Sequence, residues 1–83
     1  MLDERNCRYI SASGIIELTR KETYLLAILI DNRDKVVTHE YLAEKLYGID
    51  GIRGGISARI GKLRKKLAGV LEIKTKVGLG YYL

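Results

Sequence analysis

The sequence holds a single cysteine, Cys7, and a single histidine, His39, so one chain can form neither an internal disulfide nor a zinc site built from Cys and His. Stabilisation therefore falls to packing. Cys7 reads as a small, partly buried strand residue rather than a reactive thiol, because no cationic helix terminus or neighbouring His is evident beside it. Long apolar runs are missing too. The longest, YLLAILI from Tyr24 to Ile30, stops at Asp31 and falls well short of the ~18 residues of a membrane span. Charge interrupts the N-terminal MLDERNCRYI before an apolar core can form, which is unlike a signal peptide and leads us to expect a cytoplasmic protein. With no clustered carboxylates and no phosphate-binding loop, an enzyme is not expected, and neither is a metal or a cofactor.

What remains is 83 residues, one small domain able to bury about 60–65% of its unfolded surface around one core. A chain that is 47% apolar and 30% charged suits a folded soluble domain. The net charge of +5 is unevenly spread: residues 1–51 carry seven Lys or Arg against nine Asp or Glu, whereas residues 52–83 carry eight against one. A nearly neutral body with a strongly basic C-terminal third is the footprint of a polyanion-binding face, for nucleic acid first and an acidic membrane surface or protein second.

Along the chain, CRYISASGIIEL alternates weakly about Ser13-Gly14 and predicts two short strands joined by a tight turn. TRKE then predicts a capping box, with Thr19 and Glu22 satisfying each other's backbone N–H groups at the start of a first helix. Tyr24, Leu25, Ile28 and Leu29, widened by Leu26 and Ile30, make its buried stripe, and Asp31-Asn32-Arg33-Asp34 ends it. Val36-Val37 leads to Thr38, the N-cap of a second, shorter helix marked by Tyr41, Leu42, Leu46 and the terminal Gly48. The glycine-rich IDGIRG that follows is a loop.

The segment GGISARIGKLRKKL, Gly54 to Leu67, is the most informative. Ile56, Ile60, Leu63 and Leu67 recur at helical spacing and form one stripe for the core. Roughly opposite lie Ala58, Gly61 and Lys65, flanked by Lys62, Lys66 and Arg59, while Arg64 falls on the other flank beside Ser57. Glycine inside a helix costs about 1 kcal/mol relative to Ala, and core packing does not demand one on an exposed face. Close approach by a bulky partner does. Small residues at the centre and long cations at the rims suit a helix lying in a major groove; the plainer alternative is a solvated charged face. The chain closes with EIKTKVGLGYYL, a hairpin turning at Gly78-Leu79-Gly80, with Lys74 and Lys76 on one face and Ile73, Thr75 and Val77 on the other, core-facing at its base.

A short β segment, three helices with the third basic, and a terminal hairpin make a winged helix-turn-helix plan of the α+β class. We expect one domain over residues 1–83, with the β segment at 1–18, the helical core at 19–67 and the wing at 71–83. The stretches LTRKETYLL, VVTHEYLAEKLYG, ARIGKLRKKL and IKTKVGLGYYL resemble the C-terminal DNA-binding domain of OmpR/PhoB-type response regulators, in order and in spacing, over nearly everything after Ser13.

That resemblance implies a two-component transcription regulator that binds tandem or repeated promoter sites in double-stranded DNA. Its third helix would occupy the major groove and its wing the adjacent backbone or minor groove. By position, the implied DNA contacts fall on Arg59, Lys62 and Arg64 in the third helix, on His39 and Tyr47 in the second, and on Thr75 and Tyr81 in the wing, with Lys76 on a phosphate. Ser57, Ala58, Gly61, Lys65 and Lys66 complete the expected surface. The plain alternatives are solvated Arg59 and Lys62, an exposed His39, and Tyr47 and Tyr81 as packing residues with surface hydroxyls.

Gly54 and Gly61 stand where the family often has basic residues, and Val77 where a minor-groove Arg is common, so base reading shifts toward Arg59 and Lys62. The loop that touches RNA polymerase in relatives is about two residues shorter here. Relatives carry an N-terminal receiver domain phosphorylated on Asp. This chain contains none, which makes it either an excised effector domain or a single-domain relative. A functional alternative from another class is a winged-helix module that uses the basic face on RNA or on an acidic protein.

Overall fold

A computed structural model of the chain describes residues 1–47 and 54–83. It opens on an antiparallel meander of β1 (Leu2–Asp3), β2 (Arg8–Ser11) and β3 (Gly14–Glu17). Ser11 pairs with Gly14, which puts the turn at Ala12-Ser13, one residue before the expected centre at Ser13-Gly14, so that Gly14 opens β3. β1 is an addition to the two expected strands. Two residues carry no readable alternation; what holds them is pairing with β2 and the exchange of two bonds between Met1 and Ile10, at 2.6 and 2.7 Å.

α1 (Arg20–Asp31) begins with the predicted capping box: Glu22 N donates to Thr19 Oγ1 at 3.1 Å, and Thr19 N donates to Glu22 Oε1 at 2.8 Å. Leu25, Leu26 and Leu29 are buried, but Tyr24, expected in the stripe, is 47% exposed. The buried arc is rotated toward the N-terminus of the helix, where Glu22 and Thr23 are covered instead. Thr23 returns its hydroxyl to the Thr19 carbonyl at 2.9 Å, which lets a polar side chain sit inside.

After β4 (Val37–Thr38), Thr38 caps α2 (His39–Tyr47) by accepting from Tyr41 N at 3.1 Å. Leu42 and Ala43 carry the core contact of α2, and Tyr41 is exposed. The predicted helix-ending Gly48 and the loop through Arg53 lie outside the described residues, and Gly54 already opens α3 (Gly54–Lys66). The stripe of α3 is as the spacing predicts: Ile56, Ile60, Leu63 and Leu67 are at most 1% exposed. Each such burial is worth about 1.5–3 kcal/mol before entropy is charged against it, so this stripe is the main anchor of α3.

The wing consists of β5 (Lys74–Lys76) and β6 (Gly80–Tyr82) around a turn in which Gly78 has φ +75°. β6 lies between β4 and β5 in a three-stranded sheet, so the hairpin is tied to the entry of α2 as well as to itself. Gly80 permits this. A Cβ there would overlap the Val37 carbonyl and stand 2.7 Å from Thr38 Cα, both of them backbone atoms with no room to yield. The expected core-facing side of the hairpin ends at Ile73: Thr75 is exposed and Val77 is 92% exposed, because the strands project past the body that would cover them. Among the described residues no helix is long and apolar enough to cross a membrane.

Candidate nucleic-acid interface

Because the aliphatic stripe of α3 is fixed inward, its opposite side must face out. Ser57, Ala58, Lys62 and Lys65 are exposed, and Arg59 and Gly61 are half-buried. Among the described residues a Cβ built at Gly61 meets nothing within 4 Å, so packing against them does not explain that glycine. The result is a surface with low relief at its centre and cations around it, in the one-third of the sequence that holds a single acidic residue, Glu72.

Not every predicted cation belongs to that open surface. Lys66 donates from Nζ to Glu22 Oε1 at 2.7 Å, joining the end of α3 to the start of α1 across 44 residues of sequence. Burial pushes the Glu22 carboxyl up, but the Lys66 hydrogen bond and the Thr19 backbone N–H outweigh it and hold the group below its ordinary value. Arg64 turns the other way, toward the wing. Its Nε donates to the Ile73 carbonyl at 2.9 Å, its Nη2 donates to Thr75 Oγ1, and the guanidinium lies 5.5 Å from the centre of the Tyr81 ring.

Tyr81 is the hub of this edge. It is only 5% exposed, its hydroxyl is 3.3 Å from Ser57 Oγ, and the His39 ring lies 4.8 Å from it at a tilt of 59°. The structure thus brings Ser57, Arg64, Thr75, Tyr81 and His39 together where α2, α3 and the wing meet. Tyr81 there is a packing residue whose hydroxyl is directed at α3. Lys76 stands apart, exposed on the hairpin beside the uncovered Val77. The side chain of Tyr47 lies outside the described residues. The family resemblance points to Arg64 and the helical wheel to Lys66, and neither carries information on partners 11 and 44 residues away.

Residues 13–83 match the family described as transcriptional regulatory protein, C terminal. The chain belongs to this family. Among its relatives, the regulatory protein VanRB of Enterococcus faecalis is 37% identical over 70 residues, covering 82% of this chain and 31% of VanRB. The chain spans about a third of the length of the curated relatives it matches. Its fold superposes on the DNA-binding domain of Bacillus subtilis CssR with a TM-score of 0.86 and 28% identity, over 99% of this chain and 96% of that one. The AdeR DNA-binding domain, solved in complex with an intercistronic region, also gives 0.86, with 26% identity over 100% of this chain and 90% of AdeR's. The architecture is therefore the winged helix of the family, with α3 as its third helix and β5–β6 as its wing.

Proposed function

We propose that the chain is the DNA-binding effector domain of a response regulator, selecting sites in double-stranded promoter DNA with the outer face of α3. The observation that carries this is the open space at Gly61, set between exposed Ala58 and Lys62 on the side opposite a fully buried stripe. Arg59 and Lys62 are the base-reading candidates. Lys65 on α3 and Lys76 on the wing take phosphates, and His39, Thr75 and Tyr47 border the contact. The basic third of the chain supplies capture from a distance, which salt screens. In the cell this domain works in the cytoplasm beside a receiver domain, with copies paired on tandem sites and RNA polymerase as a further partner.

The test is selection from a random-sequence duplex pool, followed by titration of Lys62→Ala and Lys76→Ala. A recurring motif should emerge. Lys62→Ala should narrow the gap between selected and random duplex, and Lys76→Ala should weaken both alike. A pool that yields no motif, or stronger retention on duplex RNA or an acidic protein at equal salt, would assign the basic face to another partner.

A further inference from the structure

The position of Arg64 on the flank of α3 suggests a cation for DNA, but its geometry points elsewhere. β5 has no buried side chain: Lys74, Thr75 and Lys76 are all exposed. Three residues on a sheet edge, paired on one side only, are weakly held by backbone bonds alone. The Arg64 fork fastens β5 to the body beside the buried side chain of Ile73, with Nε on the Ile73 carbonyl just before the strand and Nη2 on Thr75 Oγ1 in its middle. The same guanidinium covers the ring of Tyr81 on β6, and Ser57, two helical turns earlier on α3, holds the hydroxyl of that ring. One face of α3 thus grips both wing strands.

We infer that Arg64 is a positioning residue, which locks the wing at a set place beside α3 so that both reach one duplex together. This rests on the DNA-binding reading, and its chemistry is specific to a planar fork. A lysine supplies a point charge for a phosphate but cannot span a carbonyl and a hydroxyl with parallel donors. With the wing placed in advance, less ordering remains to be done on binding.

The experiment compares R64K, R64Q and T75V with the wild type. Amide hydrogen exchange is read in the free protein, and affinity is read on a duplex taken from the selection. R64K and R64Q should both speed exchange in β5 and β6 by about tenfold while α1 keeps its wild-type rates, as expected for loss of a charge-assisted bond in one local unit. Both should weaken binding by the same factor, and T75V should loosen the wing in the same direction. The inference is overturned if R64K binds as the wild type does, which marks a simple phosphate contact, or if wing exchange stays unchanged in R64Q. Equal acceleration in α1 and the wing also overturns it, since Arg64 would then stabilise the fold without placing the hairpin. A wild type that shows no preference among duplexes would defeat the DNA reading and leave the exchange comparison standing.

Discussion

Replacing Glu22 by Gln and Lys66 by Met, singly and together, tests how the first and third helices are joined. Glu22 is 4% exposed and serves two donors, Thr19 N at 2.8 Å and Lys66 Nζ at 2.7 Å. The amide of Gln can still accept from Thr19, so Glu22→Gln isolates the charge and should cost about 1 kcal/mol. Lys66→Met keeps the stem but leaves a covered carboxylate with one donor fewer. Loss of a partner from a fully buried pair costs ~3–5 kcal/mol. Here the lysine side chain is 39% exposed, so water screens the pair and about 1–2 kcal/mol is expected.

Acid adds a second reading of the same pair. The folded-state pKa of Glu22 lies below its ordinary 4.5, so the unfolded chain binds more protons in that range. The stabilisation is complete above about pH 4.5 and is lost as pH falls through the lower folded value. Asp3 is shifted in the same direction, chiefly by the Asn6 side-chain amide, so the difference between wild-type and Glu22→Gln curves reports Glu22 alone. Urea unfolding between pH 3 and 7 measures both effects. A coupling energy below ~0.3 kcal/mol in the double-mutant cycle, or identical pH curves with and without Glu22, would refute the reasoning.

Three further substitutions probe the wing and the outer face of α3. Gly61→Ala should stabilise the free domain by about 0.5–1 kcal/mol in urea unfolding, since its Cβ enters open space; Gly61→Leu should fold yet bind selected duplex on the order of tenfold more weakly. Gly80→Ala should cost about 3 kcal/mol in thermal unfolding, because the new carbon meets backbone of β4 that cannot move aside without parting the sheet. Val77→Arg places a cation at the 92% exposed wing tip and should steepen the salt dependence of duplex binding by about 0.9 in logarithmic slope.

Much of the architecture was legible because its signals are local. The Thr19–Glu22 box spans three residues, the α3 stripe repeats every three or four, and Gly78 marks a turn that needs positive φ. The face of α1 was less legible, since Tyr24 is apolar enough to join a stripe yet carries a hydroxyl that tolerates water, and only the packed neighbours decide. β1 and β4 are two residues each and exist through their partners. At the candidate interface, the wheel of α3 separated inside from outside correctly at Ile60 and Lys62. It did not separate cations that face solvent from those tied within the chain, because Arg64 and Lys66 owe their positions to Thr75 and Glu22, which the helix does not contain.

Entry of the outer face of α3 into the groove of a duplex can be followed residue by residue. Backbone chemical-shift mapping with a duplex selected by the protein tests it most directly. The largest changes should fall at Ala58, Gly61 and Lys62, with a second set at Lys76 and Val77 and little change at Ile56 or Leu29. Changes centred on the β1–β3 meander or on the exposed side of α1, with the α3 amides unmoved, would contradict it.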